Sequence, residues 1–223
     1  MSLRVAATAA AATLAVAYNN GALGARLPPM GWSSWIALGP GASAPIFDFC
    51  DEFSVKTSID AFVSLGFPKY GYTQIHLDDC WAGPRNASGY LTAEADHFPN
   101  GMKVVVDYAH KAGLSFGLYT CAGTETCVGG RPGSKDHWPQ DAAVWAEWGV
   151  DWMKMDWCNT AGMVPQQAYG NMSAALNKTG YPVSFNMCEW GLDDPVSVCG
   201  RARACARFVL HSPSAVAFYA LRT

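Results

Sequence analysis

The chain has 223 residues, half of them apolar and 15% charged, with a formal net charge of −3. That length and apolar content suffice for one domain with a sizeable core. The charge is too small to argue for nucleic acid, and the one basic cluster, Arg201, Arg203 and Arg207, is too sparse for a run of phosphate contacts.

Residues 1–17 carry one early charge, Arg4, then an alanine-rich apolar run ending Ala15-Val16-Ala17. This reads as a secretory signal peptide with a small-residue cleavage site, too short to span a bilayer. The mature chain is then expected from about Tyr18, with no membrane anchor. Three Asn-x-Ser/Thr acceptors, at Asn86, Asn171 and Asn177, agree with the secretory route. Eight cysteines in an exported chain favour disulfides over metal ligation, and no Cys-x-x-Cys pair occurs.

From Met30 the chain repeats a strand-then-helix unit. Strand-like segments are expected at Met30–Trp32, Gly71–Leu77, Leu114–Thr120, Val150–Met155 and Pro182–Met187. The helical patterns between them run Val55–Leu65, Met102–Ala112, Ala142–Trp148 and Gln166–Lys178, and a glycine follows each one (Gly66, Gly113, Gly149, Gly180). Such alternation implies parallel strands joined by crossover helices. A doubly wound sheet is the rival, but no Gly-x-Gly-x-x-Gly phosphate turn is present. The expected fold class is therefore α/β, of the (β/α)8 TIM-barrel type. About five strand–helix units are legible, where a closed barrel needs eight and usually about 250 residues. This gives residues 18–195 as the N-terminal part of a barrel, apparently truncated, and residues 196–223 as a divergent tail rich in Arg, Ala and Ser.

The strand ends carry the chemistry. Asp156 closes Trp152-Met-Lys-Met-Asp156, and strand alternation puts Lys154 on its side, where the ammonium can hold the carboxylate ionised and oriented. A carboxylate among aromatics suits a nucleophile that attacks an anomeric carbon; a structural Lys–Asp ion pair is the plainer alternative. Asp78 and Asp79 stand together at another strand end, suited to vicinal sugar hydroxyls, with Trp81 to stack on a ring. His76 could extend them into a metal site, but a hard cation would want more oxygen ligands; neither metal nor cofactor is expected. Trp32 and Trp190 also stand at strand ends, whereas Trp145, Trp148 and Trp152 lie at spacings typical of core packing.

Taken together, Leu27-Pro-Pro-Met-Gly-Trp32, Leu77-Asp-Asp-Cys-Trp81, Gly117-Leu-Tyr119, Met153-Lys-Met-Asp-Trp-Cys158 and Cys188-Glu-Trp-Gly191 resemble glycoside hydrolase family 27, and within it the α-galactosidases. The resemblance covers roughly Leu27 to Pro195. It implies a retaining hydrolase of terminal α-linked galactose built on a catalytic barrel followed by a β-sandwich. Asp156 would be the nucleophile, and Lys154, Asp78 and Asp79 would hold sugar hydroxyls. Trp32, Trp81 and Tyr119 would line the pocket, with Cys188, Glu189 and Trp190 near the 2-hydroxyl. The bulk of Glu189 and Trp190 favours galactose over N-acetylgalactosamine, leaving α-N-acetylgalactosaminidase as the alternative. Disulfides Cys50–Cys80 and Cys127–Cys158 are also implied. The family's Trp-Arg-x-x-x-Asp motif, whose Asp is the general acid/base, has no match here, and Asp193 and Asp194 do not stand in its position. Little turnover is therefore expected of this chain, and a galactoside-binding protein without catalysis is the rival from another class.

Overall fold

The computed structural model describes residues 28–37 and 50–191. The signal-like segment, the residues from 192 onward and the Asp193–Asp194 pair lie outside them. Five parallel strands form one sheet: β1 (Gly31–Ser33), β2 (Gln74–Leu77), β3 (Ser115–Cys121), β4 (Trp152–Asp156) and β5 (Ser184–Cys188). Their spatial order is their chain order, β1-β2-β3-β4-β5, with every neighbouring pair parallel. Right-handed crossovers that always advance in one direction put every connecting helix on the same face. A doubly wound sheet reverses direction at a switch point; this one does not. The fold class is the (β/α)8 TIM-barrel type, of which the described residues supply five strands.

The helices are α1 (Ser34–Ala37), α2 (Glu52–Ser64), α3 (Met102–Lys111), α4 (Trp138–Trp148) and α5 (Pro165–Thr179). Asp51 caps α2, its carboxylate accepting from the Ser54 amide at 2.7 Å. Helices α4 and α5 open with a proline in the first turn, where the missing N–H costs nothing. Each closes on a glycine in the left-handed region, Gly149 at φ 75° and Gly180 at φ 73°.

Side chains divide by strand alternation. Ile75 and Leu77, Phe116 and Leu118, Met153 and Met155 are all at most 1% exposed and share one face by register. There they join Ile59, Val105, Val106, Trp145 and Met172 from the helices in a single apolar cluster. Trp145 and Trp148 pack with this cluster as their spacing suggests, whereas Trp152 is buried on the opposite face, on the side of Lys154 and Asp156. The other face carries His76, Gly117, Tyr119, Cys121, Lys154, Asp156, Asn186 and Cys188. Two disulfides pin the loops at its C-terminal rim, Cys50–Cys80 and Cys127–Cys158, as the resemblance implied. Cys121 and Cys188 are buried free thiols.

Candidate active site

Two strands deliver one charged cluster. Asp78, one residue beyond β2, is 3% exposed; Lys154 and Asp156 come from the last three residues of β4. Lys154 Nζ donates to Asp78 Oδ2 at 2.9 Å and stands 3.7 Å from Asp156 Oδ2. The direct partner of Lys154 is thus Asp78, on the loop after β2, rather than Asp156 on its own strand. Burial is the largest influence on Asp78 and favours its neutral form. The Lys154 charge and the His76 contact together outweigh it and hold the carboxyl well below the usual range. Lys154 shows the mirror image: burial opposes its charge, while Asp78 and Asp156 raise its pKa. The cation also lies 4.9 Å from the Tyr119 ring centroid and 5.6 Å from that of Trp35.

The two oxygens of Asp156 are held differently. Its Oδ1 accepts from the Trp157 amide and from the Trp190 indole N–H, both at 2.9 Å. Its Oδ2 faces the ammonium. Trp190 reaches this position in the left-handed region, at φ 65°. For a bulky residue that conformation costs on the order of 1–3 kcal/mol and persists where the surroundings over-determine it. The indole bond to Asp156 is one such determinant.

Asp79 is 2% exposed. Its Oδ2 accepts from the Val128 amide at 2.9 Å and the Thr126 hydroxyl lies beside the carboxylate, while Oδ1 makes no well-formed hydrogen bond among the described residues. Burial pushes its pKa up. A buried acceptor with spare capacity at the rim is what a ligand hydroxyl would complete. Tyr119 accepts from the Cys127 amide at 3.4 Å through its hydroxyl. Cys188 pairs in register with Asp156, and burial raises its thiol to about 12. Glu189 is buried and accepts from the Gly191 amide at 2.9 Å.

Two of the tryptophans sit elsewhere. Trp81 is 1% exposed, donates its indole N–H to the Tyr119 carbonyl and packs edge-on against Trp145 and Trp148. It builds the wall behind Tyr119 rather than offering a face to a sugar. Trp32 pairs in register with Ile75 and packs on the apolar cluster, the side opposite Lys154. Trp35, from the turn of helix after β1, takes the place expected of it. Its signal was present as the second Trp of Gly31-Trp-Ser-Ser-Trp35, but a strand-end count overlooks a residue a few positions further on.

Sequence reasoning also missed Arg85. Its guanidinium grips the fully buried Asp141 through both oxygens, at 2.6 and 2.8 Å, and donates to the Gly89 and Gly133 carbonyls. It thereby ties the loop after β2 to α4 and to the loop carrying Cys127. His76 Nε2 approaches Asp78 Oδ2 at 3.4 Å. Among the described residues the one group of Cys, His and acidic side chains close enough to share a cation is Cys121, Cys127 and Cys158, two of which form a disulfide.

A progressively wound parallel sheet with carboxylates and a lysine at the C-terminal strand ends is the arrangement of a (β/α)-barrel active site. The family described as alpha galactosidase A (Melibiase_2) matches residues 27–198, and the chain belongs to it. Alpha-galactosidase A of Cellvibrio japonicus is 43% identical over 171 residues, covering 77% of this chain and 40% of its own length. A probable alpha-galactosidase of Dictyostelium discoideum is 44% identical over 191 residues, covering 85% and 46%. Among solved structures, α-galactosidase I of Mortierella vinacea superposes with a TM-score of 0.70 at 38% identity, covering 80% of this chain and 44% of that one. The Saccharomyces cerevisiae α-galactosidase solved with raffinose gives 0.69 at 37% identity, covering 78% and 38%. The chain thus spans less than half the length of these relatives.

Proposed function

We propose that this chain carries the galactose-binding and nucleophilic half of a retaining α-galactosidase. The observation that carries the reading is the Asp78–Lys154–Asp156 cluster, set at the ends of β2 and β4, with Asp156 Oδ1 held by two donors and Oδ2 turned toward the ammonium. Asp156 Oδ2 attacks the anomeric carbon, the bond to the leaving oxygen breaks, and a galactosyl ester forms. Asp78, Asp79 and Lys154 bind sugar hydroxyls, and Trp35 and Tyr119 wall the ring. Raffinose, with which the yeast relative was solved, supports a terminal α-galactose as the substrate class. The bulk of Glu189 and Trp190 beside Asp156 supports galactose over N-acetylgalactosamine, whose acetamide would need small residues there.

The leaving oxygen needs a proton, and the Trp-Arg-x-x-x-Asp motif that would supply it has no match in these 223 residues. The residues in hand therefore account for galactose binding and the nucleophilic step, and the proton donor is not assigned among them. The two disulfides and the exposed Asn86, Asn171 and Asn177 support passage through the secretory route to the medium or a vacuolar compartment. No described helix is long and apolar enough to cross a membrane.

The test is titration calorimetry of the folded chain with galactose and N-acetylgalactosamine, beside hydrolysis of an aryl α-galactopyranoside by the chain and its Asp156→Ala variant. Saturable, galactose-selective binding is expected, with any hydrolysis lost in Asp156→Ala. Absence of binding by monodisperse, folded material would remove the site assignment. Robust hydrolysis abolished by Asp156→Ala would mean that another group serves as acid/base.

A further inference from the structure

The register that places Cys121 beside Asp156 also brings a third sulfur to the Cys127–Cys158 disulfide. The three Sγ atoms all lie within 4.8 Å of one another. Cys121 is a free, fully buried thiol, clamped to one half of the bridge by two hydrogen bonds. The Cys158 amide donates to Cys121 Sγ at 3.1 Å, and the thiol donates to the Cys158 carbonyl at 3.1 Å. The bridge in turn holds the candidate site from both sides. Cys158 lies two residues after Asp156, while the Cys127 amide reaches the Tyr119 hydroxyl and the next amide, of Val128, reaches Asp79. A thiol in this position does not merely fill core volume; it has a disulfide within reach and a donor already aimed at its sulfur.

We propose that Cys121, Cys127 and Cys158 form an intramolecular thiol–disulfide exchange centre, in which Cys121 can replace either partner of the bridge beside the candidate nucleophile. The Cys121 thiolate attacks Sγ of Cys127 or Cys158, and a new S–S bond forms to Cys121. The Cys127–Cys158 bond breaks with its electron pair going to the leaving sulfur, which takes up the proton that Cys121 released. No external oxidant or reductant enters the balance. When Cys127 is the sulfur released, the loop that supports Asp79 and Tyr119 loses its covalent anchor. This chemistry does not depend on the sugar reading.

The surroundings set when the exchange runs. Burial is the main reason that the Cys121 thiol is pushed up to about 12; the Asp156 and Asp79 carboxylates push the same way, and the Gly123 and Cys158 amides oppose them. Cys188, across Asp156 on β5, is likewise protonated at neutral pH. The native pairing is therefore kinetically secure near neutrality, and the exchange accelerates as the thiolate fraction grows.

The experiment is disulfide mapping of the full oxidised chain after incubation at a series of pH values, with acid quench, maleimide alkylation, digestion and mass spectrometry. Circular dichroism at each pH confines the comparison to folded protein. Near neutrality, Cys121 should be alkylated and the Cys127–Cys158 peptide intact. As pH rises, Cys121–Cys127 or Cys121–Cys158 peptides should appear, with a rate that grows about tenfold per pH unit and does not depend on protein concentration. Cys121→Ser, or Cys121→Ala should the serine variant not fold, should release neither Cys127 nor Cys158. The proposal is overturned if folded wild-type protein keeps Cys121 free at every pH. It is equally overturned if the Cys121 variants release the same thiols, or if the rate scales with concentration.

Discussion

The two faces of the sheet are built on opposite principles. On the helix side, Ile75, Leu77, Phe116, Leu118, Met153 and Met155 need only be apolar and of suitable volume, since the cluster they join is held by burial and close packing. On the inner side, the acidic groups have specific partners: Lys154 on Asp78, Trp190 on Asp156, Val128 on Asp79. The outer face tolerates conservative exchange; the inner face fails when one member is removed, because the partner left behind remains buried and charged. Apolar packing holds one face and paired charges hold the other, which also carries the candidate chemistry, separated by a single residue step along each strand.

The largest expected effect lies on the inner face. Asp78→Ala leaves Lys154 without its direct partner and should cost about 3–5 kcal/mol in denaturant unfolding; a loss under about 1 kcal/mol would show that the lysine simply re-pairs with Asp156. The same carboxylate sets an acid limb. Its folded pKa is depressed, so its contribution is complete above its unfolded pKa of about 4 and is lost as pH falls toward the folded value. Asp78→Asn should flatten the stability–pH slope below about pH 4; an unchanged slope would place that limb in other groups. On the outer face, Met153→Ala should cost about 2–5 kcal/mol through the cavity it leaves while galactose affinity of the folded fraction stays put. A variant that stays stable but loses affinity would erase the distinction between the faces. The smallest effect concerns neither face: Asp51→Ala removes the α2 cap and should lower stability by about 0.5–2 kcal/mol, measured by thermal or denaturant unfolding.

The outer face was the more legible in the sequence. Apolar runs ending in glycine located α2 through α5 to within a few residues, apart from the start of α4. There Pro139 interrupts an otherwise helical pattern but stands in the first turn, where it is allowed. Strand ends at Asp156 and Cys188 were readable because acidic and aromatic residues break the runs. The inner face was readable only as a set of residue types. That Lys154 bonds Asp78 rather than Asp156 depends on a contact 76 residues distant, and the Arg85–Asp141 grip spans 56; neither leaves a local period. The tryptophans show the same limit. Position at a strand end does not say which way a ring turns, so Trp32 and Trp81 sit on the scaffold while Trp35 faces the lysine.

The central claim is that Asp156 is a nucleophile poised for an anomeric carbon, and it can be tested without a general acid. In α-galactosyl fluoride the leaving fluoride needs no proton from the protein, so the first half-reaction is isolated from the second. Incubating the chain with this reagent, followed by acid quench and peptide mass spectrometry, should show a galactosyl ester on the peptide containing Asp156, absent from Asp156→Ala. A folded chain that binds galactose yet acquires no adduct, or acquires it on another residue, would contradict the assignment of Asp156.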